Sequence, residues 1–227
     1  MSVVLNLPRA GTRSPWWPFV PYALISAIHV GARFTNHETV AGPTKLLLMP
    51  ALIFAAVWGG RRLGARAAMG LLVAGLVLSW LGDGAGPFFP FAPPLPLMLL
   101  CFGLAHLCYM RLFWRHLAVR PLPRWAVAFA IWWLALLTIM WPRTGTLAVA
   151  VAAYGVVLGG TAALATRCNR IVLWGGLFFL ASDTILAFRI FAAGLLPGWS
   201  GAAVMATYTV GQGLITAGAL TTLRGRA

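Results

Sequence analysis

Eight apolar runs follow one another along the chain, at residues 16–32, 43–60, 65–82, 97–113, 125–141, 145–166, 171–191 and 201–223. Each is close to the roughly 20 residues that a helix needs to cross a bilayer. Polar residues collect in the short gaps between them. This pattern predicts an all-α fold: a polytopic bundle of eight transmembrane helices forming a single integral membrane domain over residues 1–227. Trp16-Trp17-Pro18 reads as an interfacial aromatic anchor for the first span. Pro43 is placed to open the second, and Pro142 with Arg143 to end the fifth. The segment Gly86 to Pro96 holds five prolines and three phenylalanines, so it predicts a loop or a re-entrant cover rather than regular helix. Arg9 and Arg13 precede the first run, and no small-residue cleavage site follows, which predicts a first span that is retained.

Composition sharpens this picture. The chain is 61% hydrophobic and 9% charged, with 11 tryptophans, far from the roughly 25% charge of a soluble domain. A net charge of +14 would suggest a nucleic-acid partner in a soluble protein. Here the arginines sit between apolar runs, so they orient the chain in a membrane, and no nucleic acid is expected. Thirteen arginines (9, 13, 61, 62, 66, 111, 115, 120, 124, 167, 170, 224 and 226) fall on one side of the eight-span arrangement. Arg33, Lys45, Arg143 and Arg189 fall on the other. That asymmetry predicts both termini in the cytoplasm and a multi-pass protein of the cell membrane, surrounded by membrane lipid. Cys101, Cys108 and Cys168 lack a CxxC spacing and read as core thiols.

Against this background three acidic residues stand out, and two of them, Asp83 and Asp183, lie in or at the end of apolar runs. A carboxylate at the centre of a lipid-spanning helix costs about 2.5–3.5 kcal/mol on insertion scales and normally faces a bundle interior or a wet cavity. Asp183 is therefore the first candidate for chemistry; its alternative is a polar pin between helices. Asp83 is the second, with a helix-capping loop carboxylate as its alternative. His106 and Tyr109 are spaced i, i+3 and Tyr208 and Gln212 i, i+4, so each pair shares a helix face, either for catalysis or to tie helices together. Lys45, the only lysine, either serves the site or snorkels to the interface. On the predicted topology these groups gather at one depth.

Two carboxylates meeting in a low-dielectric cavity do not both ionise readily, so one keeps a proton while the other is charged. Such a pair suits acid-catalysed cleavage through a cationic intermediate. There is no HExxH or other zinc signature, so neither metal nor cofactor is expected. Ser182 lacks a GxSxG setting. Gly159-Gly160 and Gly175-Gly176 read as packing surfaces. Gly82-Asp83 and Ser182-Asp183 form a faint echo, a small residue before each Asp, four spans apart.

The stretches Thr44 to Pro50, Leu81-Gly82-Asp83, Gly103 to Tyr109, Leu177 to Asp183 and Tyr208 to Gln212 occur in an order that resembles the YhhN-like lysoplasmalogenase family. The resemblance covers nearly the whole chain from the second span to the eighth. It implies an eight-helix membrane enzyme that hydrolyses the vinyl ether bond of lysoplasmalogens to a fatty aldehyde and a glycerophospho-ethanolamine or glycerophospho-choline. The substrate partner is thus a lysophospholipid. It also implies Asp83 and Asp183 as the catalytic pair, with Lys45, His106, Tyr109, Tyr208 and Gln212 around them. On this reading Asp183, expected to be the deeper and drier, is the acid, and Asp83 handles water. Lys45 holds the lipid phosphate, and His106 or Tyr109 relays the proton. Two other classes fit paired intramembrane aspartates: an intramembrane aspartyl protease, although Trp80 stands where such enzymes usually place a glycine, and a proton-coupled transporter.

Overall fold

Each of the eight apolar runs folds as a long helix. The structure, a computed structural model, describes residues 16–226, and Arg9 and Arg13 lie outside the described residues. Among those described the chain is helical and contains no strand. The elements are α1 (Val20–Phe34), α2 (Glu38–Gly60), α3 (Arg66–Asp83), the short α4 (Ala85–Phe88), α5 (Pro94–Leu112), α6 (Ala128–Thr144), α7 (Ala148–Ala165), α8 (Arg170–Phe191) and α9 (Ser200–Arg224). Five described stretches are long and apolar enough to cross a membrane: Glu38–Gly60, Arg66–Asp83, Pro94–Leu117, Arg124–Ala165 and Arg170–Phe191. The fourth has 42 residues and contains both α6 and α7, which part at Gly145 (φ 53°) and pack side by side. A positive φ there is open to glycine at no steric cost. Helix α1 has 15 residues, short for a span, and α9 has 25 but carries Thr207, Thr209, Gln212 and Thr216.

Three boundaries differ from the sequence reading. Helix α2 begins at Glu38 and contains Pro43 and Pro50. Asn36, with φ 57°, turns the chain directly after α1, so the helix starts five residues before its first proline. Helix α6 runs through Pro142 to Thr144. The proline-rich segment is a short helix and a turn, and α5 then opens at Pro94, a first-turn position that needs no N–H partner.

Pro50 removes the N–H that would bond to the Leu46 carbonyl one turn back. Trp80 of α3 replaces it, its Nε1–H donating to Leu46 O at 2.9 Å. The α2–α3 contact is thus fixed by a side chain that repairs a proline gap. Helices α8 and α9 approach still more closely. A Cβ on Gly175 would lie 2.7 Å from the Ile215 nitrogen, and one on Gly211 would lie 2.9 Å from the Phe179 nitrogen. These glycines let two backbones touch, the usual route to tight helix packing in lipid. Asn169 caps α8 by accepting from Val172 N at 2.9 Å and ties it to α9 by donating to Gly218 O at 2.8 Å. The three cysteines are free, Cys101 and Cys168 buried and Cys108 partly so.

At the end of the bundle opposite Asp83, arginines serve backbone carbonyls. Arg120 donates to Thr166 O at 2.6 Å, Arg224 to Gly59 O at 3.1 Å and Arg226 to Ala118 O at 2.8 Å. Cations at helix C-termini are favoured by the exposed carbonyls and the helix dipole.

Candidate active site

Asp83 is the last residue of α3. The preceding Gly82 allows Phe102 of α5 to press on the helix, since a Cβ there would lie 2.7 Å from the ring. The Asp83 side chain is 5% exposed, and two groups meet it. Tyr208 of α9 donates its hydroxyl to Oδ2 at 2.7 Å, and the Lys45 ammonium lies 3.5 Å from Oδ1.

Asp183 stands in the middle of α8 and is 9% exposed at its side chain. Its neighbour Ser182 is buried and donates to Val204 O of α9 at 3.0 Å. In both motifs the small residue before the aspartate is the one that lets a neighbouring helix come close. Tyr154 of α7 donates a short hydrogen bond to Asp183 Oδ2. His106 Nε2 lies 3.8 Å from the same oxygen and 3.4 Å from the Tyr154 hydroxyl. The tautomer follows from the partners. Thr161 gives its one hydroxyl hydrogen to Val157 O at 2.8 Å, so it accepts at 3.1 Å from His106 Nδ1–H. Nδ1 is thus the nitrogen committed to Thr161, and Nε2 is the one that faces the carboxyl.

The two aspartates line one hollow, together with Lys45, Tyr154 and Tyr208. Its walls are otherwise mostly Leu, Ile, Met, Val and Phe side chains from α5 to α9. Phe179, itself buried, stands between the two polar groups, 4.7 Å from the His106 ring and 5.5 Å from the Tyr208 ring. The arrangement is nearly symmetric: each carboxyl has a tyrosine donor and a basic neighbour. The expectation that Asp183 is the drier of the two does not match the nearly equal exposures of 5% and 9%. What separates them is the partner, an ammonium for Asp83 and an imidazole for Asp183.

Tyr109 and Gln212 sit behind the hollow rather than in its wall. Tyr109 donates to Gln212 Oε1 at 2.8 Å, and Gln212 Nε2 donates to Ser79 Oγ at 3.0 Å. Both are fully buried in a closed network joining α3, α5 and α9. Lys45, expected to hold a phosphate, is turned to Asp83. Tyr154 escaped the sequence reading. The signal for it was compositional: the chain has four tyrosines, and this one lies alone among Ala, Val and Gly in α7, where nothing but an interior partner explains a hydroxyl.

Chemically the site offers a mostly apolar chamber, an anion beside an ammonium, and a carboxyl–imidazole–phenol cluster able to hold and pass a proton. No curated protein and no solved structure matches the chain. A family model does match, over residues 40–219, a span that includes both aspartates and all their partners, and the chain belongs to the YhhN family.

Proposed function

We propose that this protein is an eight-span membrane hydrolase, both termini cytoplasmic, that cleaves the vinyl ether bond of lysoplasmalogens. The products are a fatty aldehyde and a glycerophospho-ethanolamine or glycerophospho-choline. The observation that carries the reading is the shared hollow: Asp83 and Asp183 on the wall of one apolar chamber. The apolar walls accommodate the hydrocarbon chain and bring the enol ether, the one polar bond near its end, to the carboxyls.

Asp183 protonates the outer alkene carbon and becomes a carboxylate. The lone pair on the ether oxygen then forms an oxocarbenium ion, which the Asp83 anion stabilises. Water adds to the carbon next to oxygen, and its proton passes to the site, giving a hemiacetal. The hemiacetal collapses as its hydroxyl proton leaves and the glycerol oxygen takes one up, releasing aldehyde and alcohol. Glycosidases use two carboxyl groups around an ion of the same type. His106 Nε2 takes up the proton that the attacking water releases and hands it to the Asp183 carboxylate, which restores the acid for the next turnover, and Tyr154 holds the carboxyl in place. Lys45 pairs with Asp83, so charge in the chamber is balanced before substrate arrives.

The test is purified protein given a lysoplasmalogen and, separately, its saturated ether analogue, with aldehyde as the readout. Aldehyde from the first alone supports the proposal. Aldehyde from neither rejects it, and cleavage of a peptide in its place assigns the aspartates to proteolysis.

A further inference from the structure

A second recess adjoins the catalytic hollow, lined by His29, Arg33, Glu38, Lys45, Arg189 and Gly201 among others. Lys45, Leu186, Val204 and Met205 face both. The recess gathers positive charge where the sequence is poor in it. Three of the four cations on the sparsely basic side of the chain, Arg33, Lys45 and Arg189, line it.

The two guanidiniums converge over a glycine. A Cβ on Gly201 would lie 3.1 Å from an Arg33 nitrogen and 3.3 Å from an Arg189 nitrogen. Any side chain there would enter the space between them. Arg33 is paired with Glu38 at 2.5 Å, and Lys45 with Asp83 at 3.5 Å. Arg189 donates to the neutral Ser200 hydroxyl at 2.6 Å and, among the described residues, has no acidic partner within ion-pair distance. One positive charge in the recess is therefore unbalanced. Two arginine forks brought together, one without a counter-ion, match the several oxygens of a phosphate. A buried acceptor adds to this. His29 donates from Nδ1 to Thr44 Oγ1, whose own hydrogen goes to Val40 O, and His29 Nε2 has no partner.

We propose that this recess holds the headgroup phosphate of a lysophospholipid, gripped by Arg189 and Arg33, while the chain end of the same molecule occupies the adjoining hollow. This rests on the lysoplasmalogen reading and extends it. The three-carbon glycerol unit separates the ether from the phosphate, and Lys45 stands at the join of the two spaces. The free glycerol hydroxyl of a lysolipid is the donor that His29 Nε2 lacks. Arg189 and Arg33 are thus assigned to binding rather than to bond cleavage.

Binding without turnover tests this. The probes are a saturated alkyl lysophosphoethanolamine, the alkylglycerol of the same chain length without phosphate, and inorganic phosphate, each titrated onto the full-length protein in detergent with tryptophan fluorescence as readout. Wild type is expected to bind the lysophospholipid at least about tenfold more tightly than the alkylglycerol, the scale of one charged hydrogen bond. Arg189→Gln and Arg33→Gln each erase that preference while alkylglycerol binding, which also reports a folded chamber, stays as it was. Arg189→Lys keeps the charge and retains part of the preference. Equal affinity of wild type for both lipids, or a preference that survives in both Gln variants, overturns the assignment. Inorganic phosphate binding as tightly as the lipid makes the recess a free-phosphate site and also overturns it. None of these readouts needs the ether bond to break, so a failure here leaves the hydrolysis test standing, and the reverse holds.

Discussion

The Lys45 ammonium lies 3.5 Å from the Asp83 carboxylate, across the contact between α2 and α3. Asp83 is almost fully covered and Lys45 about a third exposed, so the pair has one dry end and one end near the second recess. Removing one partner of a buried pair leaves an uncompensated charge and typically costs about 3–5 kcal/mol. Solvent around the lysine brings the expectation to the lower end of that range. Lys45→Met should lower both thermal stability and aldehyde release, whereas Lys45→Arg should retain most of the stability. Equal thermal midpoints for Lys45→Met and wild type would show that the pair has no structural weight.

Asp83→Asn and Asp183→Asn keep shape and hydrogen-bonding capacity but remove the ionisable group. Each should abolish aldehyde release while the protein remains folded and inserted, as judged by size-exclusion profile and circular dichroism. Activity that persists in either variant removes that residue from the mechanism.

Two tyrosines separate rate from stability. Tyr154 donates to Asp183, and Tyr109 donates to Gln212 at 2.8 Å behind the hollow. Tyr154→Phe should cut kcat by about 10- to 100-fold, since a hydrogen bond to a charged group is worth about 1.5–3 kcal/mol. Tyr109→Phe should cost about 1 kcal/mol of stability and leave kcat within about twofold. If Tyr109→Phe loses as much rate as Tyr154→Phe, the buried network belongs to catalysis and its separation from the chamber fails.

Most of the helical framework was legible because apolar runs and arginine gaps mark helices and their ends directly, and all eight runs became helices. Boundaries slipped at prolines: Pro43 and Pro142 lie inside helices whose limits are set by Asn36 and Gly145, residues whose backbone turn the apolar pattern does not register. Asp83 and Asp183 were visible because carboxylates are rare in such a chain. Which neighbours they hold was not, since that depends on how helices distant in sequence are rotated. Spacing put Tyr208 with Gln212 and His106 with Tyr109, but the bundle sends one member of each pair to an aspartate and the other into the closed network. Tyr154, 29 residues from Asp183, has no local pattern at all. The recess of Arg33 and Arg189 joins the ends of α1 and α8, and in sequence they were only topological markers.

The proline gap in α2 yields the sharpest stability prediction. Trp80→Phe keeps an aromatic ring against Phe88, whose centroid lies 4.9 Å away, but removes the Nε1–H that serves Leu46 O. Side-chain hydrogen bonds between membrane helices average about 0.6 kcal/mol and reach about 1.7. The upper figure applies here, because Pro50 has already deprived this carbonyl of its helical donor. Pro50→Ala alone returns the N–H and changes little, since the carbonyl is then served twice. In the double variant the restored backbone bond replaces the lost indole, so Trp80→Phe should be nearly harmless in the Pro50→Ala background. A double-mutant cycle read by thermal unfolding in detergent should therefore give a coupling of about 1 kcal/mol or more between the two positions, well above the few tenths expected for independent sites. Strict additivity would mean that Trp80 holds α3 by ring packing alone and that the Leu46 carbonyl needs no donor.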